Sequence, residues 1–224
     1  MSFDFPPDGG TQPLFGVYPA LVTDMVDPDN LGRIQVSFPW LGGAVGGGDT
    51  VRAWATLLTP YADEDQGFEM LPAVGSQVVV AFEAGNPRRP YIVGACWNGK
   101  EALPAAPAAA NDKRLIRTRA GSLLEFDDKE GAAKVTLSTR SGHQVVLDDG
   151  ARTVTVQHAD GLVITFTAGG AIEVHANSQV EVYAAAVNVH APMATFDGMV
   201  KCQTLIAEVG VVSPSYTPGA GNVW

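Results

Sequence analysis

Apolar doublets recur along residues 152–200, and they limit what the chain can fold into more than any other feature. Ile164 and Phe166 are followed by Ile172 and Val174, then by Val180 and Val182, then by Val187 and Val189. The steps are eight, eight and seven residues, and within each doublet the two side chains stand two residues apart. That separation is the strand period and puts both side chains on one face. Gly169, Gly170, Asn177, Ser178 and the alanines 184–186 lie between the doublets. These residues are small or turn-forming, so each strand is short. No segment here has helical spacing over enough length to cover an exposed strand face.

Such a ladder has to find its core somewhere. A buried apolar side chain contributes about 2 kcal/mol, whereas ordering each residue costs about 1–2 kcal/mol in backbone entropy. Two inward side chains per eight residues do not hold a strand alone, so the repeats must stack and further walls must close the core. A single-chain β-helix needs several strands per rung, about 20 or more residues per turn. Eight residues supply one wall. Three identical chains wound together supply three, and the expected architecture over 114–210 is therefore an intertwined trimeric β-helix, or β-prism. Its core would hold Ile164, Phe166, Ile172, Val174, Val180, Val182, Val187 and Val189. The spacing alone does not dictate the number three.

Charge narrows the range of partners. The chain has 224 residues and a net charge of −10, with only 17% charged residues and with 25 glycines and 15 prolines. An acidic body of this kind is repelled by nucleic acid and by anionic membranes. No apolar run approaches membrane-spanning length. The first 13 residues lack a basic region followed by an apolar core, and so read as a tail rather than a signal peptide. Cys96 falls in an apolar stretch and is expected as a buried, inert thiol. With Cys202 it suggests no disulfide framework.

Residues 14–98 read as a compact all-β domain. Strands are expected at 16–24, 33–38, 51–58, 77–83 and 91–97, separated by turn chemistry at Asp27-Pro28-Asp29-Asn30, at the glycines 42–48 and at Gly85-Asn86-Pro87. Five short strands without helices suit a small closed barrel, since closure removes exposed edges. Asp63, Glu64 and Asp65 mark an acidic surface loop without the spacing of a calcium loop. Residues 99–113, rich in Ala and Pro, read as a linker. Thr118-Arg-Ala-Gly-Ser-Leu-Leu-Glu-Phe-Asp-Asp128 then returns 21 residues later as Thr139-Arg-Ser-Gly-His-Gln-Val-Val-Leu-Asp-Asp149. Leu124 and Phe126 correspond to Val145 and Leu147. The aspartate pairs sit where turns should fall, and they read as turn formers rather than as a catalytic carboxylate pair.

The run from Val17-Tyr-Pro-Ala-Leu-Val-Thr-Asp to Arg33-Ile-Gln-Val-Ser-Phe-Pro-Trp40 resembles the opening of the OB-fold domain of phage baseplate assembly protein V. The valine–glycine-repeat spike of type VI secretion carries the same domain. Leu71-Pro-Ala-Val-Gly-Ser-Gln-Val-Val-Val-Ala-Phe-Glu83 and Asn86-Pro-Arg-Arg-Pro-Tyr-Ile-Val-Gly94 are similar to the later strands of that family, and the resemblance covers about residues 16–97. It implies an N-terminal OB-fold barrel followed by the trimeric β-helix. It also implies the central spike of a contractile injection system, in a phage tail or a phage-tail-like particle. The implied partners are two further copies of the chain, a baseplate hub protein and a PAAR-repeat tip protein. Membranes would be met only by mechanical puncture, after assembly in the cytoplasm, and no cofactor is implied.

Residues 211–224 change character, with Pro and Gly and with Tyr216, Val223 and Trp224 toward the end. Three copies would form a blunt apolar platform, the expected seat of the cap. Some phage spikes instead hold iron in a His-x-His motif at their tip, and this tail has no histidine. His175 and His190 each follow an inward Val and should point outward. His158 is in phase with Val154 and Val156, and three copies of it on an axis are the one weak candidate for an ion site. No Ser/His/Asp grouping with a nucleophile elbow and no phosphate loop is present, so no enzymatic activity is expected. The continuous run from linker to prism leaves no room for a fused effector domain. Two other readings compete: an OB-fold protein binding oligosaccharide or nucleic acid, and a cell-wall hydrolase accessory of a tail. The first lacks an aromatic row interleaved with Lys or Arg, and the second lacks an acid–base pair.

Overall fold

The computed structural model describes residues 13–41 and 50–213. The chain divides into two units, Met1–His175 and Ala176–Trp224.

The first unit opens with a closed barrel of five strands. They are β1 (Val17–Asp24), β2 (Arg33–Ser37), β3 (Arg52–Leu57), β6 (Gln77–Phe82) and β7 (Pro90–Ala95), in the order β1-β2-β3-β7-β6. The β3–β7 pair is parallel, and β1 and β6 pair antiparallel to complete the ring. Each strand lies within about two residues of its expected bounds, because alternation and turn residues agree there. Alternate side chains fill the interior: Ala20 and Val22 from β1, Ile34 and Val36 from β2, Val78, Val80 and Phe82 from β6, with Ala55 and Ile92. Phe38, just after β2, joins them and lies within 6 Å, centroid to centroid, of both Phe82 and Trp40. Trp40 stacks on Tyr18 at 4.6 Å and donates its indole N–H to the Pro19 carbonyl.

The turn between β1 and β2 is organised by one carboxylate. Asp27 is nearly buried and accepts hydrogen bonds from the backbone N–H of Asp29, Leu31 and Arg33, and from the Arg33 guanidinium through two nitrogens at 2.8 Å. Arg33 also donates to Asp29 and lies 6.0 Å from the Trp54 ring. The expected acidic loop is a short exposed hairpin, β4 (Ala62–Asp63) with β5 (Gln66–Gly67). Its carboxylates stay at the surface.

Cys96 is not buried. β7 ends at Ala95, whose partner is Val78, so Cys96 lies past the last ladder pair and is exposed. Both cysteines are free.

The remainder of this unit is an antiparallel meander of seven strands. They are β8 (Lys113–Arg117), β9 (Leu123–Asp127), β10 (Lys134–Ser138), β11 (Gln144–Asp148), β12 (Thr153–Gln157), β13 (Val163–Phe166) and β14 (Ile172–His175). Four of its connections share one geometry. In each, the first residue receives an N–H bond from the glycine three positions on and donates to the carbonyl four positions on: Thr118 to Ser122, Thr139 to His143, His158 to Leu162 and Thr167 to Ala171. The glycines Gly121, Gly142, Gly161 and Gly170 have φ between +80° and +100°. This is the three-residue hairpin loop closed by a glycine bulge, and an L side chain at the bulge is strained.

In the second unit no strand is assigned to the described residues, 176–213. Val180, Val182, Val187 and Val189 lie outside any strand, exposed at 60% or more. The doublets therefore appear as strand ladders in β13 and β14 and stop there. β14 is left as the edge strand of the sheet, paired on one side only.

Candidate functional site

Cross-strand register sorts the meander's side chains onto two unlike faces. On one, Ile116, Leu124, Leu137, Val145, Val156, Ile164 and Val174 form a continuous row from β8 to β14. Beside it Phe126, Val135, Leu147, Val154, Phe166 and Ile172 form a second row, whose β8 position is Arg114. The other face carries the charges. Lys113 pairs with Glu125 at 2.9 Å, and Lys134 with Asp148 at 2.6 Å. The Lys134 ammonium, with backbone N–H groups at the turn, holds the Asp148 carboxyl below its usual range.

The apolar face is uncovered. Leu137 is 55% exposed, Phe166 45% and Ile172 65%, while the barrel's core residues are sealed. Two uninterrupted rows of large apolar side chains are a far bigger patch than a soluble surface normally leaves in water. The sequence-expected core residues Ile164, Phe166, Ile172 and Val174 all belong to this face, and His175 and Glu173 fall on the opposite one, as their phase required. Val180, Val182, Val187 and Val189 are not brought into the ladder. The sequence reading missed the rows' full reach. The strand between the two copies of the 21-residue repeat, β10, was not anticipated, although its Val135 and Leu137 carry the same two-residue spacing as the doublets around them.

His158 is placed differently from its expected position. β12 ends at Gln157, and His158 opens the next turn, with its ring edge-on to His143 at 4.3 Å. Each Nδ1 accepts a backbone N–H, from Asp160 onto His158 and from Ala159 onto His143. The pair lines a shallow hollow of about 360 Å³ with Leu137, Val145, Val156 and Leu162. Among the described residues no group of three or more His, Cys, Asp or Glu is placed to hold a metal ion. Both Nδ1 lone pairs are already engaged. The aspartates at the turns have structural partners: Asp128 pairs with Arg114 and Asp148 with Lys134. Tyr216, Val223 and Trp224 lie outside the described residues. Among the described residues no helix is long and apolar enough to cross a membrane.

Comparison with known proteins agrees with this architecture. Residues 18–97, the barrel, match the family described as the type VI secretion system/phage-baseplate injector OB domain. The spike protein VgrG3 of Vibrio cholerae is 25% identical over 141 residues, covering 61% of this chain and 14% of the relative. VgrG1b of Pseudomonas aeruginosa, also named a type VI secretion system spike protein, is 23% identical over 129 residues, or 54% of this chain and 17% of its own. A third relative, from Vibrio cholerae, is named the actin cross-linking toxin VgrG1 and is 24% identical over 126 residues, or 11% of its length. The chain thus spans a fifth or less of each of these relatives. With its closed five-stranded barrel and these matches, the N-terminal part of the chain, residues 18–97, is similar to the injector OB domain of phage baseplates and type VI secretion spikes.

Proposed function

We propose that this chain is the structural spike of a contractile injection baseplate, working as a homotrimer without catalytic activity. The uncovered double row on β8–β14 carries this reading. An apolar face this long is stable in water only when something covers it, and two further copies of the same face do so symmetrically. The doublets at Val180, Val182, Val187 and Val189 continue the period, and neighbouring chains would give them strand partners and cover their apolar side chains. The resulting prism is a rigid acidic needle, driven mechanically through a target envelope as part of an extracellular injection particle. The barrel would sit against a baseplate hub, and residues 211–224, with Tyr216, Val223 and Trp224, would seat a PAAR-type tip protein.

Light scattering on the purified chain tests this. The expected mass is about 70 kDa, three times the 23.4 kDa of one chain. Trimers should also survive SDS without heating. A well-folded monomer would overturn the reading.

A further inference from the structure

The polar face holds a second feature, which the spike reading does not use. Arg117, Arg119 and Arg140 converge with Thr118, Ser138 and Thr139 on a depression of about 560 Å³ that no carboxylate lines. Arg119 and Arg140 occupy the same position in successive Thr-Arg-x-Gly hairpin loops at one end of the meander, two strand spacings apart, or about 10 Å. The aliphatic part of Arg140 passes over Gly121, within 3.4–3.7 Å of where a side chain there would begin, which draws the two loops into one wall.

In an acidic chain three arginines around one hollow stand out, although Arg52, Arg88 and Arg152 also make no ion pair among the described residues. Arg33, Arg89 and Arg114 are each tied to an aspartate or glutamate. Arg117 donates to the Pro104 carbonyl, and neither Arg119 nor Arg140 has a carboxylate within ion-pair distance among the described residues. The loop geometry does not ask for arginine, since the two later loops of the same type have Ala159 and Ala168 at that position. Arg117 lies in register with Leu123 and Ser138, on the face opposite the apolar rows. The depression therefore stays open to solvent when those rows are covered.

We infer that Arg117, Arg119 and Arg140 form an oxyanion site for a phosphoryl-bearing ligand. Planar guanidinium forks match tetrahedral oxyanions bidentately. Three of them around one hollow suit a group of charge near −2, or two linked phosphoryl groups, better than a single carboxylate. The ligand's source is either a soluble phosphate ester or a phosphorylated headgroup on a membrane.

Two arms separate these sources on the full-length protein at low salt. Calorimetric titration with inorganic pyrophosphate reports the soluble form, and cosedimentation with phosphatidylcholine vesicles containing phosphatidic acid reports the membrane form. Saturable binding in either arm is expected. The R119Q/R140Q pair should weaken it at least about tenfold, and Arg88→Gln, an exposed control, should not. Thermal unfolding should be the same for all three proteins. The inference is overturned by absence of binding in both arms, by equal weakening with Arg88→Gln, or by a glutamate-rich peptide binding as tightly as pyrophosphate.

Discussion

At the scale of single residues, Asp27 and Ile34 show the two kinds of bond that hold the barrel. The Arg33 guanidinium, ahead of three backbone N–H donors, holds the Asp27 carboxyl far below its ordinary value, and Arg33 is pushed up in turn. A carboxyl depressed in the folded state stabilises the fold above its unfolded value of 3.8 and loses that contribution as pH falls below it. Asp27→Asn should therefore lower the thermal midpoint at neutral pH, and the gap to the native protein should shrink at about pH 3, where the carboxyl of the unfolded chain takes up a proton while the folded one stays ionised. Melting curves at the two pH values check this. Ile34 is 1% exposed in the closed interior, so Ile34→Ala should cost about 2–5 kcal/mol in chemical denaturation. An equal truncation of Ile172, at the uncovered edge of the meander, should cost an isolated chain far less.

At the scale of elements, the meander is written by its loops. A glycine bulge sets the length of four of the meander's six hairpins and so keeps the apolar doublets they join on the same face from one strand to the next. Gly142, at φ +100°, has only Ala159 nearby, at an ordinary contact distance. Gly142→Ala should thus fit sterically yet cost about 1–2 kcal/mol in backbone strain, read as a lower midpoint with the barrel's near-UV signal intact. The same logic explains the turn aspartates. Asp127, Lys134 and Asp148 face one another in register, and a row of alternating sign holds register without apolar contact on that face.

For the whole molecule, the deciding fact is that one chain leaves its longest apolar surface in water. Replacing Phe166 or Val156 with Asp puts a charge in the middle of that surface. It should convert a species of about 70 kDa into one near 23.4 kDa, measured by light scattering, while the barrel stays folded. If the substituted chain keeps the native mass, the double row is not the assembly surface. The uncharged hollow beside His143 and His158 lies against that face and should become inaccessible on assembly, which histidine modification of native and Phe166→Asp protein would compare.

Local chemistry determined the barrel strands, the hairpin glycines and the shared face of Ile164, Phe166, Ile172 and Val174. Each depends on period-two alternation interrupted by turn residues, and both are visible within ten residues of chain. Tertiary structure decided what depends on pairing between distant strands. Register placed β10 between the two repeat copies, merged separate doublets into two unbroken rows, and ended β7 at Ala95, just before Cys96. It also turned His158 out of the strand and against His143, and brought Arg119 beside Arg140 across 21 residues of sequence. A strand's own pattern says which side chains share a face, but only the neighbouring strand says which of them meet.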